Sequence, residues 1–414
     1  MANPDQNKPR PADLKIFSSF RPAIESIVNT GALTPPQIAQ AYDVPVSSGT
    51  GVKIGIASFG GGFYQSDLEL AFTDLRNAGL LSQNTIAPTI KKVILDSQTG
   101  LYYNDPFSST ENILDIYCIA SLVPEADITI YIGDTYSSIV NRAIADGCHF
   151  LNFSWVTYEL FATEQTEALF KTANEAGMTI LAAAGDNGST VQYNDPFLTV
   201  GYPAGSPNVI AVGGTNLVLN NDNTRLLENY NEDTSGSGGI SEVFPLPDWQ
   251  KGLYYTPISS ENQVGSRTTL ISRGVPDVSA PYQPYGIYDN GSIGFVGGTS
   301  ASCPVVLGLL ARIQSLTGKR RSSIEYNRLF YSHPTAFYDV TGGQDNYTPG
   351  LGGYVGTVGW DPLTGLGPPA DIRFYNFLKA ANTRPKSGDV FPNYDYNIRP
   401  YSGQLWPRPQ IVKG

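Results

Sequence analysis

A chain of 414 residues, 41% of them hydrophobic, is long enough to bury a sizeable core, which excludes disorder as its organising state. Its 37 acidic and 26 basic residues give a net charge of −11 and a pI near 4.7, with no basic run interleaved with aromatics, so a nucleic-acid surface is excluded. No stretch is long and apolar enough to span a membrane, and the first residues, MANPDQNKPRPAD, lack the apolar run of a secretory signal.

The elements follow in chain order. Residues 1–34 read as an N-terminal arm, whose polar, Pro-containing start, residues 1–13, predicts disorder. Phe17, Phe20, Ile24, Ile27 and Val28 then recur at helical spacing and predict a short amphipathic helix. The main domain spans 35–382. VKIGIASF from Val52 reads as a buried strand, Gly60, Gly61 and Gly62 as the loop after it, and LELAFTDLRNAGL as a helix capped near Ser66 or Asp67. A helix from about Glu111 to Leu122, a strand at DITIYIG, a helix at SSIVNRAIADG, a strand at CHFLNFSW and a helix at TEQTEALFKTANEAGM continue the alternation. The strands TILAAAG and NVIAVGGTNLVL follow. Strands alternating with helices in this way predict an α/β fold with a mainly parallel sheet covered on both faces, and a site beyond the carboxyl ends of its strands. Residues 218–295, richer in Gly, Ser, Asn and Pro, read as long surface connections around VFPLP and GVPDVSAP. A last apolar helix begins at about Ser300. The tail 383–414 is rich in Pro, Tyr and Asn and reads as extended chain docked on the domain or on a protein partner.

Gly297, Gly298, Thr299, Ser300, Ala301 and Ser302 make a Gly-rich turn into that helix, with Pro304 where a first-turn proline is tolerated. A serine there has the positive end of the helix dipole beside it, which suits a nucleophile and a developing oxyanion; an ordinary capping serine shares the pattern. The usual base for a serine is histidine, and the chain has two. His149 lies inside a predicted strand and His333 precedes a proline in a loop, so a base, if there is one, is a carboxylate. Glu111 and Asp115 stand four apart and project from one side of one helix, where a shared proton would relieve their repulsion. A solvated acidic first turn is the alternative reading of this spacing. Asp186, in LAAAGDNGS, follows a buried strand at its carboxyl end, a place for a site residue and equally for a turn-forming Asp before Gly. Cys118, Cys148 and Cys303 are odd in number and set in apolar sequence, which reads as buried thiols.

In this order and spacing, the E-x-x-x-D of Glu111 and Asp115, the G-D-x-G around Asp186 and the G-T-S-A-S around Ser300 resemble the sedolisin family of serine-carboxyl peptidases. The resemblance covers residues 33–380 and takes in LTPPQIAQAYDVP, IASFGGG, PEADITIY, NFSW, VFPLPDWQKG, RGVPDVSAPYQPYGIYDNG and GWDPLTGLGPP. It implies an enlarged subtilisin-like three-layer domain with a mainly parallel sheet. It also implies an acid-acting endopeptidase for peptides or unfolded proteins. Ser300 would be the nucleophile, Glu111 the general base and acid, Asp115 the partner that orients Glu111 and shares its proton, and Asp186 the oxyanion-hole acid. One structural calcium ion (Ca2+) is implied at YDVTGG and VGWDPLTGLG. Its ligands would be the carboxylates of Asp339 and Asp361, backbone oxygens of Val340, Thr357 and Gly359, and a water. Without the resemblance, both aspartates read as turn residues.

Three positions depart from the family pattern: Gly297 where the turn usually begins with Ser, Asn187 where many relatives have Ser, and Val156 where they have Gly. The last two bear on substrate subsites. Relatives carry a long N-terminal prosegment, whereas about 35 residues precede the domain here, which implies a processed chain or another mode of restraint. The family implies an acidic or extracellular setting; synthesis inside a cell with packaging into an assembly is the alternative. The competing function is a structural or binding component of a larger assembly, with arm and tail as its contacts.

Overall fold

The computed structural model describes residues 9–11, 15–22, 26–192, 195–230, 236–341 and 344–381. Seven parallel strands form the central sheet, in the order Lys91–Ile94, Asp127–Ile132, Lys53–Ser58, Phe150–Phe153, Thr179–Ala183, Ile210–Leu219 and Val278–Pro281. Arg225–Asn229 adds an antiparallel strand along the far end of Ile210–Leu219. The central strands are largely apolar and buried, as expected of parallel strands with helices on both faces. Among the described residues there are eight α-helices: α1 (Pro35–Ala41), α2 (Gln65–Asn77), α3 (Pro106–Leu122), α4 (Tyr136–Ala145), α5 (Glu164–Glu175), α6 (Thr299–Thr317), α7 (Ser323–Ser332) and α8 (Ile372–Ala380). Ile139 and Val140 of α4 and Phe170 of α5 pack into the core on one face. Those of α2, α3 and α6 pack into the core on the other, which makes the predicted three-layer α/β arrangement.

Helices α3 and α6 are buried nearly all round, as expected of helices without a polar face. Their approach depends on Gly308, where a methyl group would come within 2.5 Å of Leu122 Cδ1. A hairpin of Tyr285–Asp289 and Ser292–Gly297 leads directly into α6. Asp67 accepts hydrogen bonds from the backbone N–H of Asn290 and Gly291, both at 2.8 Å, and Thr110 donates to Asp289 at 2.5 Å. The hairpin is therefore tied to both α2 and α3.

Several expectations are corrected. The helix expected in the arm is instead a strand, Lys15–Pro22, antiparallel to Ser292–Gly297, followed by a short 3-10 helix at Ile27–Thr30. Ladder hydrogen bonds on the open edge of the hairpin outweigh a weak local helical preference. Residues 218–295 are not mere connections, since they supply the last parallel strand and most of that hairpin. Asp67 lies inside the first turn of α2 and serves the hairpin rather than capping the helix, whose N-cap is Tyr64. Helix α3 starts at Pro106, five residues before the expected point. Within residues 1–13, for which disorder was expected, Arg10–Pro11 instead form a short strand on Trp155–Val156; residues 1–8 and 12–13, and the tail 383–414 with its expected extended path, lie outside the described residues.

Candidate active site

Asp105 begins α3 by accepting from Ser108 N at 3.1 Å, with Pro106 in the first position, where a missing N–H costs nothing. Glu111 and Asp115 consequently sit in the helix interior, both 0% exposed, and are not a solvated first turn. Burial pushes the Glu111 carboxyl well above its ordinary pKa. The charge of Asp115 raises it further, the nearby Ser300 hydroxyl draws it back, and the charge of Asp186 raises it again. Burial likewise raises Asp115 against the pull of donors on Ser154 and Asn152. Such a pair binds a proton well above the pH at which free carboxyls release theirs.

Ser300 is the second residue of α6 and is buried. Its hydroxyl donates to the Ser154 carbonyl oxygen at 3.3 Å, and both Glu111 oxygens remain without a hydrogen bond, the loose geometry common before substrate binds. Asp186 grips the turn from below: its Oδ1 accepts from Thr299 N at 2.7 Å and Thr299 Oγ1 at 2.9 Å. That contact requires Gly298, which has φ +118° and whose added methyl would lie 2.5 Å from Asp186 Oδ2. Pro304 is not in the first turn; it is the sixth residue of α6. Its missing N–H would have bonded to the Ser300 carbonyl, which instead lies 3.2 Å from the Ser154 hydroxyl.

Ser154 and Asn152 are site residues that sequence reasoning assigned no role. Their signal was two polar side chains at the carboxyl end of the otherwise apolar FLNFSW. Ser154 Oγ donates to Asp115 Oδ1 at 2.6 Å and accepts from Asn152 Nδ2 at 3.0 Å. The next strand, Trp155–Tyr158, pairs with Gly201–Tyr202 on one edge and with Arg10–Pro11 on the other, Pro11 opposite Trp155. Val156 packs where Gly201 leaves room, since a methyl on Gly201 would meet it at 2.4 Å. Asn187 Nδ2 donates to the Val191 carbonyl at 3.0 Å.

The remaining candidates lie elsewhere. His149 is at the amino end of the sheet, with Nδ1 2.7 Å from Gln314 Nε2, and burial lowers its pKa to about 4. His333 stacks on Phe377. Cys118, Cys148 and Cys303 are buried free thiols. Asp361 is fully buried; its oxygens accept from Thr357 N, Leu363 N and Thr364 N at 2.9–3.0 Å. Burial raises its pKa to about 7, with Asp339 adding to the rise. Asp339 accepts from Gly359 N at 2.9 Å. Among the described residues no cluster of three or more His, Cys, Asp or Glu could hold a metal. Two neighbouring carboxylates, one of them buried, are nevertheless donors that fit a hard cation when backbone carbonyls complete the shell.

The subtilase family model matches residues 114–327, half of the chain. Kumamolisin from Bacillus sp. (strain MN-32) is 33% identical over 366 residues, covering 84% of this chain and 64% of that protein. Pseudomonas sedolisin, a serine-carboxyl proteinase solved with two molecules of pseudo-iodotyrostatin, superposes with a TM-score of 0.69 at 25% identity, covering 84% of this chain and 98% of that one. The chain belongs to the subtilase family, in its sedolisin group. It is thus a member of a family of serine peptidases with a subtilisin-like fold. Human tripeptidyl-peptidase 1 is 35% identical over 207 residues, 47% of this chain and 36% of that protein. The chain spans less than two thirds of the length of these curated relatives. The subtilase match begins at Leu114, so it takes in Asp115, Asp186 and Ser300 but stops short of Glu111.

Proposed function

We propose that this sedolisin-group chain hydrolyses peptide bonds through an acyl-enzyme on Ser300. The observation that carries this reading is the meeting of Ser300, Glu111, Asp115 and Asp186 in one buried cluster from three separate parts of the chain, with both histidines elsewhere. Glu111 takes the Ser300 proton as the hydroxyl attacks the scissile carbonyl, while the proton of the carboxyl pair passes to Asp115. Asp186, its Oδ1 already accepting from Thr299, carries a proton on Oδ2 and donates it as a hydrogen bond to the oxyanion beside the Ser300 N–H. Glu111 then protonates the leaving amine, and a water repeats the sequence in reverse.

A peptide would lie extended along Trp155–Tyr158, the edge that Arg10–Pro11 pairs with, and its class is peptide or unfolded protein. Asp186 must keep its proton, so cleavage is strongest in acid and fades toward neutrality. The carboxylates of Asp339 and Asp361, with carbonyls of Val340, Thr357 and Gly359, would hold one calcium ion that closes this loop and offsets the buried charge of Asp361. Wild type and Ser300→Ala are to be incubated with unfolded protein from pH 3 to 8 in calcium, and fragments identified by mass spectrometry. Fragments made by wild type alone, and chiefly below pH 6, are expected. Folded wild type that makes none at any pH overturns the peptidase reading in favour of a structural or binding role.

A further inference from the structure

Ser154 holds the only polar hydrogen on its side chain between two acceptors. Asp115 Oδ1 is at 2.6 Å and the Ser300 carbonyl oxygen, orphaned by Pro304, is at 3.2 Å. The shorter contact, to a carboxyl that can carry charge, takes the proton. Asn152 Nδ2 donates to one lone pair of the same oxygen at 3.0 Å, so the hydroxyl cannot turn its hydrogen toward Asn152. Asn152 is itself immobilised in the middle of the sheet, in register with Ile56 on one side and Leu181 on the other. With the Ser154 hydrogen on the shorter contact, donation runs from Asn152 to Ser154 and from Ser154 to Asp115. Asp115 Oδ2 makes no hydrogen bond, and neither do the two Glu111 oxygens.

We propose that Ser154 is a positioning residue for the Glu111–Asp115 pair: its hydroxyl proton occupies Asp115 Oδ1, so that the proton the pair exchanges is carried on Oδ2. The inference deepens the peptidase reading and rests on it for its kinetic consequence. While the pair holds one proton, that proton passes between Asp115 Oδ2 and Glu111. When Glu111 accepts the Ser300 proton, the pair holds two, one on Glu111 and one on Asp115 Oδ2, and Oδ1 still accepts from Ser154. Transfer from Glu111 to the leaving amine returns the pair to one. Without Ser154, Asp115 can carry its proton on Oδ1, where it is withdrawn from the exchange. The other titratable groups that act on the pair are Asp186, at the end of Thr179–Ala183, and the thiols of Cys118 on α3 and Cys303 on α6. Burial pushes both thiols up, so they stay neutral in acid and do not compete as bases.

Ser154→Ala and Ser154→Thr separate positioning from packing. With a peptide substrate, Ser154→Ala is expected to lose about tenfold in kcat with KM little changed, and the acid limb of its pH profile is expected to move up by about one pH unit. The shift is upward because a hydrogen bond donated to a carboxylate favours the charged form, and its loss raises the pKa. Ser154→Thr, which keeps the donor, is expected to restore both. Carbon-13 NMR titration of Asp115 in Ser300→Ala, with and without Ser154→Ala, reads the same shift whether or not the protein is a peptidase. An unmoved Asp115 titration in folded Ser154→Ala overturns the proposal, as does a low kcat with an unshifted profile that threonine fails to rescue. A moved titration in a chain whose wild type cleaves nothing upholds the proton placement and refutes only the peptidase reading.

Discussion

Gly298→Ala tests how tightly the nucleophile turn is built. At φ +118° and ψ 174° the backbone of Gly298 lies where side-chain-bearing residues pay about 1–3 kcal/mol. The new methyl would stand 2.5 Å from Asp186 Oδ2, closer than real Cβ contacts come, so Asp186 must withdraw. Withdrawal stretches its bonds from Thr299 N and Oγ1, at 2.7 and 2.9 Å, and loss of such bonds costs roughly another 1–3 kcal/mol. The sum is about 2–6 kcal/mol. With an unfolding entropy of about 0.8 kcal/mol/K for a domain of this size, Tm should fall by about 3–8 °C. Displacing Asp186, the proposed oxyanion donor, should lower kcat by about 100-fold or more. Calorimetry and peptide hydrolysis measure the two effects. Gly252→Ala is the control: Gly252 also has positive φ, +85°, but an added methyl meets nothing within 4 Å. It should cost about 1–2 kcal/mol and leave kcat alone. A Gly298→Ala protein with wild-type Tm and kcat would refute the reasoning.

Buried Glu159 accepts from Ser241 Oγ, Glu242 N and Thr199 Oγ1, yet burial raises its pKa from 4.5 to about 7. The stability it lends is complete below about pH 4.5 and is lost as the pH passes about 7, a swing of about 3 kcal/mol. Tm should therefore fall between pH 5 and pH 8 by about 4 °C less in Glu159→Gln than in wild type. Identical pH dependence would contradict the assignment. Calcium should raise the Tm of wild type and not that of Asp361→Ala, measured by scanning calorimetry with and without chelator; equal responses would remove Asp361 from the ligand set. Because Arg10–Pro11 pair with the edge along which substrate is proposed to lie, removing residues 1–14 should lower KM for peptides, and a synthetic peptide of residues 7–14 should raise it again. An unchanged KM would separate that edge from the substrate path.

The central α/β alternation was legible because each buried strand is a local apolar run and each helix carries its own period. The three candidate motifs were legible for a similar reason: each is contiguous, so its residues need no fold to be seen together. The arm was misread because Lys15–Pro22 has little local preference and takes its form from a partner more than 270 residues away. Val278–Pro281 was hidden among prolines and polar residues and exists as a strand only because Ile210–Leu219 offers it a ladder. Helix α3 was begun too late because Phe107, Ser108 and Ser109 carry no helical period, and the start is set by the Asp105 cap.

Sequence by itself determined which candidate groups the chain offers: a serine at a helix start, two carboxylates one turn apart, an aspartate after a strand, and two histidines in unsuitable contexts. Their spacing alone left Glu111 and Asp115 readable as a solvated first turn. Tertiary structure decided that point by placing α3 against α6, where both carboxylates lose water and burial pushes their pKa values up. It alone revealed Ser154 and Asn152, because a hydroxyl 39 residues from Asp115 in sequence matters only once the sheet brings it within 2.6 Å. Local pattern is written in neighbouring residues, whereas desolvation and hydrogen-bond direction exist only between groups that the fold brings together.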